Sequence, residues 1–87
     1  MRNNLRSFFD GLYLDAYLID IWDDNNLLAS FIMNPISEIT VKDNKVNIYD
    51  DSENMIVITC DDDTQLIRKE DRIIIQSGTK EYSFIPI

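Results

Sequence analysis

Histidine is absent from this 87-residue chain, while glycine, proline and alanine each occur twice and cysteine once. Without an imidazole there is no histidine base, no histidine metal ligand and no Ser-His or Cys-His dyad, which closes the commonest routes to nucleophilic catalysis and zinc chemistry. Two glycines cannot build a glycine-rich phosphate cradle. The lone Cys60 excludes an intrachain disulfide framework and points to a reducing compartment. It ends the apolar run Met55-Ile56-Val57-Ile58-Thr59-Cys60 and precedes three aspartates, which raise a thiol pKa, so it reads as a spectator and not a nucleophile. No stretch is long enough to span a bilayer, and Asp10, Asp15 and Asp20 break the N-terminal apolar region where a signal-peptide core would lie. These absences lead to the expectation of a cytoplasmic, non-enzymatic chain that uses no cofactor and no metal.

What is present suits a folded domain. Apolar residues make up 45% of the chain against a formal charge of −8, enough to order a core. Residues 1–87 are expected to form a single domain, since the one-domain prior is roughly 150 residues. So small a domain buries only about 60 to 65% of its unfolded surface, and a partner or a second copy would add to a marginal stability.

Fourteen Ile and twelve Asp against two Ala and four Glu favour strands joined by Asx-type turns over helices. Strand-like runs read as Leu12 to Asp23, Leu27 to Met33, Ser37 to Lys42, Lys45 to Asp50, Met55 to Cys60, Thr64 to Lys69, Arg72 to Ser77 and Lys80 to Ile85, with turn-forming clusters between them. The fold class is therefore mostly β, α+β at the margin: one small antiparallel meander or barrel-like sheet with a short N-terminal helix. That helix is expected over roughly Asn3 to Asp10 with Gly11 as its stop, and the competing parse is one continuous helix through the first element. As a strand, the element from Leu12 is apolar on both faces. One face packs on the core, and the other, with Tyr13, Tyr17, Ile19 and Ile21, needs a cover: the helix, another part of the chain or a second molecule. In the last case a charge at Tyr17 or Ile19 would yield monomers.

Charge is segregated along the chain. Asp10, Asp15, Asp20, Asp23, Asp24 and Glu38 lie in a segment without a base, and so do Asp50, Asp51, Glu53, Asp61, Asp62 and Asp63. In a meander the turns at 23–24 and 61–63 open at one end and the turn at 50–54 at the other, so whether the acids form one patch depends on topology. The net charge repels nucleic acid and attracts basic surfaces. Three readings compete for the acids: turn residues that keep the domain soluble, a surface that imitates a phosphate backbone in the basic groove of a nucleic-acid-binding protein, or a Ca²⁺ or Mg²⁺ site at 61–63 or 50–54. Neither stretch has the sixth-position glycine or distal Glu of an EF-hand loop, which excludes that motif. Carboxylate-pair catalysis has no support, because no two acids share an apolar pocket context.

The aromatics Tyr13, Tyr17 and Trp22 fall in the acidic first half, where rings ringed by carboxylates suit a protein-binding surface. Base stacking would need basic neighbours, which are missing there, so direct nucleic-acid binding is disfavoured. The candidate partner-binding residues are Asp23, Asp24, Asp50, Asp51, Asp61, Asp62 and Asp63 with Tyr13, Tyr17 and Trp22. In general character, as a short acidic chain rich in Ile and Asn with Asp in its turns, the sequence is similar to the small inhibitors carried by phages and mobile elements, anti-CRISPR proteins and DNA mimics among them. That resemblance is one of class, and implies a binder that blocks a basic nucleic-acid-binding protein. The alternatives are a homo-oligomeric structural or accessory domain, dimeric or higher, whose acids only solubilise it, and a small-ligand-binding β-barrel.

Overall fold

The computed structural model describes residues 16–87. The expected helix over 3–10, its Gly11 stop and the strand portion with Tyr13 lie outside the described residues. Eight strands follow one another: β1 (Tyr17–Asp23), β2 (Asn26–Met33), β3 (Ile36–Lys42), β4 (Lys45–Asp50), β5 (Met55–Thr59), β6 (Gln65–Arg68), β7 (Ile73–Ser77) and β8 (Lys80–Pro86). The mostly β expectation holds, and from β2 onward the strands begin and end within one or two residues of the runs read from the sequence.

The turn chemistry explains why the strands stop where they do. Asp24 and Asn25, at φ 50° and 68°, both occupy the left-handed region. This is the backbone of a two-residue hairpin turn matched to strand twist, and Asp and Asn tolerate it better than other side chains. In the two-residue turns of the β3–β4 and β7–β8 hairpins the first residue alone is left-handed, Asp43 at φ 55° and Gly78 at φ 62°.

Every hydrogen-bonded strand pair is antiparallel, yet the meander does not form one continuous sheet. Strands β2-β1-β8-β7-β6 make one sheet and β3-β4-β5 a second. The first and last strands pair, Ile19 opposite Phe84 and Ile21 opposite Tyr82, so the meander closes on itself there and opens between β2 and β3 and between β5 and β6. The core lies between the sheets: Tyr17, Ile19, Met33, Ile75, Tyr82 and Phe84 from the larger meet Ile36, Ile39, Val46, Ile48, Ile56 and Ile58 from the smaller. Tyr17 and Phe84 pack edge to face, with centroids 6.1 Å apart and planes at 82°.

This arrangement corrects the reading of the first strand. Of the three covers left open for the Tyr17 and Ile19 face, another part of the chain is the one supplied, and no second molecule is needed there. This is the core face, covered by the three-stranded sheet, with Tyr17 1% and Ile19 0% exposed. The opposite face carries Leu18, Asp20 and Trp22, all half-buried. Tyr17 is thus withdrawn from any partner.

Tyr17→Glu or Ile19→Glu is therefore expected to abolish the folded state by burying an unpaired charge, and not to release folded monomers. Phe84→Ala should cost about 3–5 kcal/mol, a large part of the stability of so small a domain. Urea denaturation followed by circular dichroism checks both. A folded, monomeric Tyr17→Glu variant would contradict the assignment.

Candidate acidic interface

Hydrogen bonds between turns decide which acids share an end of the molecule. The Asp24 amide donates to the Thr79 carbonyl at 3.1 Å, and Thr79 Oγ1 donates to Asp23 Oδ1 at 2.6 Å, tying the β1–β2 turn to the β7–β8 turn. Ser77 Oγ donates to the Thr59 carbonyl at 2.6 Å and lies 3.3 Å from Thr64 Oγ1, which links β7 to the 60–64 turn across the gap between the sheets. The Cys60 amide donates to the Asn44 carbonyl at 2.7 Å and brings in the β3–β4 turn. One end of the molecule thus collects Asp23, Asp24, Asp43, Asp61, Asp62 and Asp63, with Lys42, Lys45 and Lys80 as the bases of the same hairpins. Six carboxylates against three ammonium groups leave that end negative.

The carboxylates there differ in freedom. Asp61 is partly committed to its turn, where Oδ1 accepts the Asp63 amide at 2.9 Å and the Thr64 hydroxyl at 3.3 Å, while Thr64 Oγ1 accepts the Asp61 amide at 2.8 Å. Asp24, Asp62 and Asp63 are exposed, and their side chains have no hydrogen-bond partner among the described residues. Trp22 is half-buried on the outer face of β1, beside this end. A half-open groove of about 290 Å³ runs between the two tied turns and is lined by Trp22, Asp24, Asn25, Gln76, Gly78, Thr79 and Glu81. Gln76 and Glu81 carry no motif and escape sequence reading, because only the β1–β8–β7 register sets them beside Trp22.

Asp50 and Asp51 do not join this surface. They belong to the turn at the opposite end, and Asp50 is 5% exposed. Its Oδ1 accepts the amides of Ser52 at 2.9 Å and Asn54 at 2.8 Å, while Oδ2 accepts the Asn34 amide at 3.0 Å and Asn54 Nδ2 at 2.7 Å. Four donors saturate the carboxylate, so it organises the 50–54 turn and pins the β2–β3 connection. It is not a partner contact. Burial by itself pushes the Asp50 carboxyl up, but the Asn54 side chain and the amides of Ser52, Asn54 and Asn34 together outweigh it and hold the pKa below the ordinary 3.8. Asp51 remains exposed at that second end and accepts the Ser52 hydroxyl at 3.3 Å.

Cys60 is buried and unpaired. Burial, then the neighbouring Asp61 charge, push its thiol up against the opposing hydrogen bond from Thr64, which keeps it protonated and unreactive. Among the described residues no group of three or more His, Cys, Asp or Glu is arranged to hold a metal ion, and no helix is long and apolar enough to cross a membrane.

The Asp50 cage sets a pH dependence. A carboxyl with a lowered folded-state pKa contributes stability that is fully present above its unfolded value and is lost as pH falls through the folded value, so this contribution should fade in acid below about pH 4. Asp50→Asn presents an amide N–H₂ to donors that need an acceptor, and should cost about 2 kcal/mol at neutral pH while flattening the acid limb of the stability curve. Denaturant midpoints measured between acid and neutral pH for both proteins check this. An unchanged midpoint would show that the cage contributes nothing.

Comparison with family models, with curated proteins and with solved structures gave no match, so the functional reading rests on the residues of this chain alone.

Proposed function

We propose that this chain is a non-enzymatic binding module that presses its Asp23/Asp24 and Asp61–Asp63 end, with Trp22 beside it, against a basic protein surface. The observation that carries this reading is the convergence of two acidic turns, distant in sequence, on one end of the sandwich through the Thr79 and Ser77 bonds. Exposed carboxylates on rigid turns keep their geometry on binding, steer a cationic partner and lose little side-chain entropy. A nucleic-acid-binding protein is the fitting class of target, since its groove is already built for regularly spaced negative charge. The module would then act as an inhibitor of the DNA-mimic or anti-CRISPR kind. The buried free thiol suits a cytoplasmic setting.

A second reading, self-association, is favoured by one observation. Edge strand β2 has no charged residue and leaves Leu27, Leu28 and Ile32 half or more exposed. Uncharged edges are templates for a further strand.

One capture experiment separates the two. Tagged protein, co-expressed with an untagged copy, is used to capture partners from a lysate of its source cells at low and raised salt. The proposal expects a basic protein that is lost as salt rises. The triple variant Asp61→Asn, Asp62→Asn, Asp63→Asn, whose amides still suit the turn, should bind that partner at least about tenfold more weakly, roughly 1.4 kcal/mol. Recovery of only the untagged copy favours self-association, and capture insensitive to both salt and the triple variant overturns the acidic interface.

A further inference from the structure

We infer that the groove beside Trp22 is a receptor for one arginine side chain of the partner, an inference that rests on the acidic-interface reading and names its anchor point. The outer-face register sets Trp22 opposite Glu81 and Glu81 opposite Gln76, so an indole, a carboxylate and an amide follow one another across β1, β8 and β7. The Asp24–Thr79 and Thr79–Asp23 bonds fix the spacing of the two turns that wall the groove, and Asp24 adds a second carboxylate at its rim. The site is therefore held in place before anything binds.

Size and chemistry narrow the occupant. At about 290 Å³ the groove is at the lower limit of small-molecule pockets and fits one side chain. No lysine or arginine lines it. Lys80, next to Glu81 in sequence, falls on the opposite face of β8 by strand alternation, and Arg72, whose charge acts on Glu81 from outside the lining, is ion-paired with Asp71 at 3.1 Å. An anion would face two carboxylates with no positive charge in the lining, the Arg72 charge near Glu81 being shared with Asp71. An apolar group would find few apolar partners beyond the indole. A guanidinium suits the aromatic and charged part of the lining: its flat face stacks on Trp22, its fork of N–H donors meets the Glu81 and Asp24 carboxylates and the Gln76 carbonyl, and its weak hydration makes entry cheaper than for an ammonium.

Trp22 is the one tryptophan of the chain and reports directly on the groove. The full chain is titrated with N-acetyl-arginine amide, with N-acetyl-lysine amide and with the neutral isostere N-acetyl-citrulline amide, followed by tryptophan fluorescence and by the indole N–H and Gly78 and Thr79 amide resonances. The arginine probe should saturate with a Kd on the order of millimolar, and citrulline should bind at least about tenfold more weakly. Lysine should fall between them. Glu81→Gln should weaken the arginine probe about fivefold with an unchanged fold. Asp24→Asn, which keeps a residue at ease in the left-handed turn, serves as a second variant, and Asp62→Asn, outside the groove, should leave binding within about twofold. Equal responses to arginine and citrulline, shifts centred on 61–63, or indifference to both Glu81→Gln and Asp24→Asn would overturn the inference. Such a result, with salt-dependent capture of a basic protein intact, removes the groove and leaves the interface. A saturable arginine response without any capture sensitive to charge removal does the reverse.

Discussion

The pairing of β1 with β8 is the constraint on which the rest depends. Seven register pairs, from Tyr17 with Pro86 to Asp23 with Lys80, join the start of the described chain to its end. This ladder unites the β1–β2 hairpin with the β6–β7–β8 meander and completes the wall against which the three-stranded sheet packs. Tyr17, Ile19 and Phe84, among the most deeply buried side chains, lie on these two strands. Closure carries a cost in chain entropy, because it joins segments more than fifty residues apart in sequence. The apolar area buried between the sheets offsets that cost, so closure and core form together.

The same ladder makes the candidate interface. It sets the 24–25 turn beside the 78–79 turn, which creates the groove, and the Ser77 bond to Thr59 then draws the 61–63 turn to the same end. Strand length keeps the remaining acids away. At about 3.3 Å per residue a seven-residue strand spans about 20 Å, well beyond the screening length of about 8 Å at physiological salt. The acids of the two ends therefore repel each other weakly, and a chain with a charge of −8 can stay compact while presenting one concentrated negative end. Aspartate serves this protein in two ways that composition does not distinguish. Asp50 is spent on four internal donors, whereas Asp24, Asp62 and Asp63 keep their carboxylates turned to solvent.

The strands were legible in the sequence because their signals are local. Alternation such as Val46, Ile48 and Asp50 buried against Asn47 and Tyr49 half-buried, and turns such as Asp24-Asn25 and Gly78-Thr79, act within a few residues. The two acidic turns sharing an end also follow from counting strands in a meander. What the sequence did not disclose is non-local. Tyr17 and Ile19 looked like a face in need of a cover, and the choice among the helix, another part of the chain and a second molecule stayed open because nothing in their own neighbourhood says that a separate three-stranded sheet covers them. Asp50 looked like its acidic neighbours because, although Ser52 and Asn54 donate from within four residues, its burial and the Asn34 amide sixteen residues away come only with the fold. Gln76 and Glu81 join Trp22 only through two strand registers, and the division of the meander into two sheets reflects bonds absent at the β2–β3 and β5–β6 junctions, which no local pattern encodes.

Residue-resolved amide hydrogen exchange in increasing denaturant tests the central claim most directly, that β1–β8 closure is part of the global fold and not a loose clasp. If it is, the amides of β1 bonded to β8 exchange only through global unfolding, with the same free energy and denaturant dependence as the centre of β4 around Ile48. If β1 and β2 exchange together at a free energy well below that of β4, the hairpin detaches as a unit. The end that gathers Asp23, Asp24 and the groove would then not be a fixed surface, which contradicts the account.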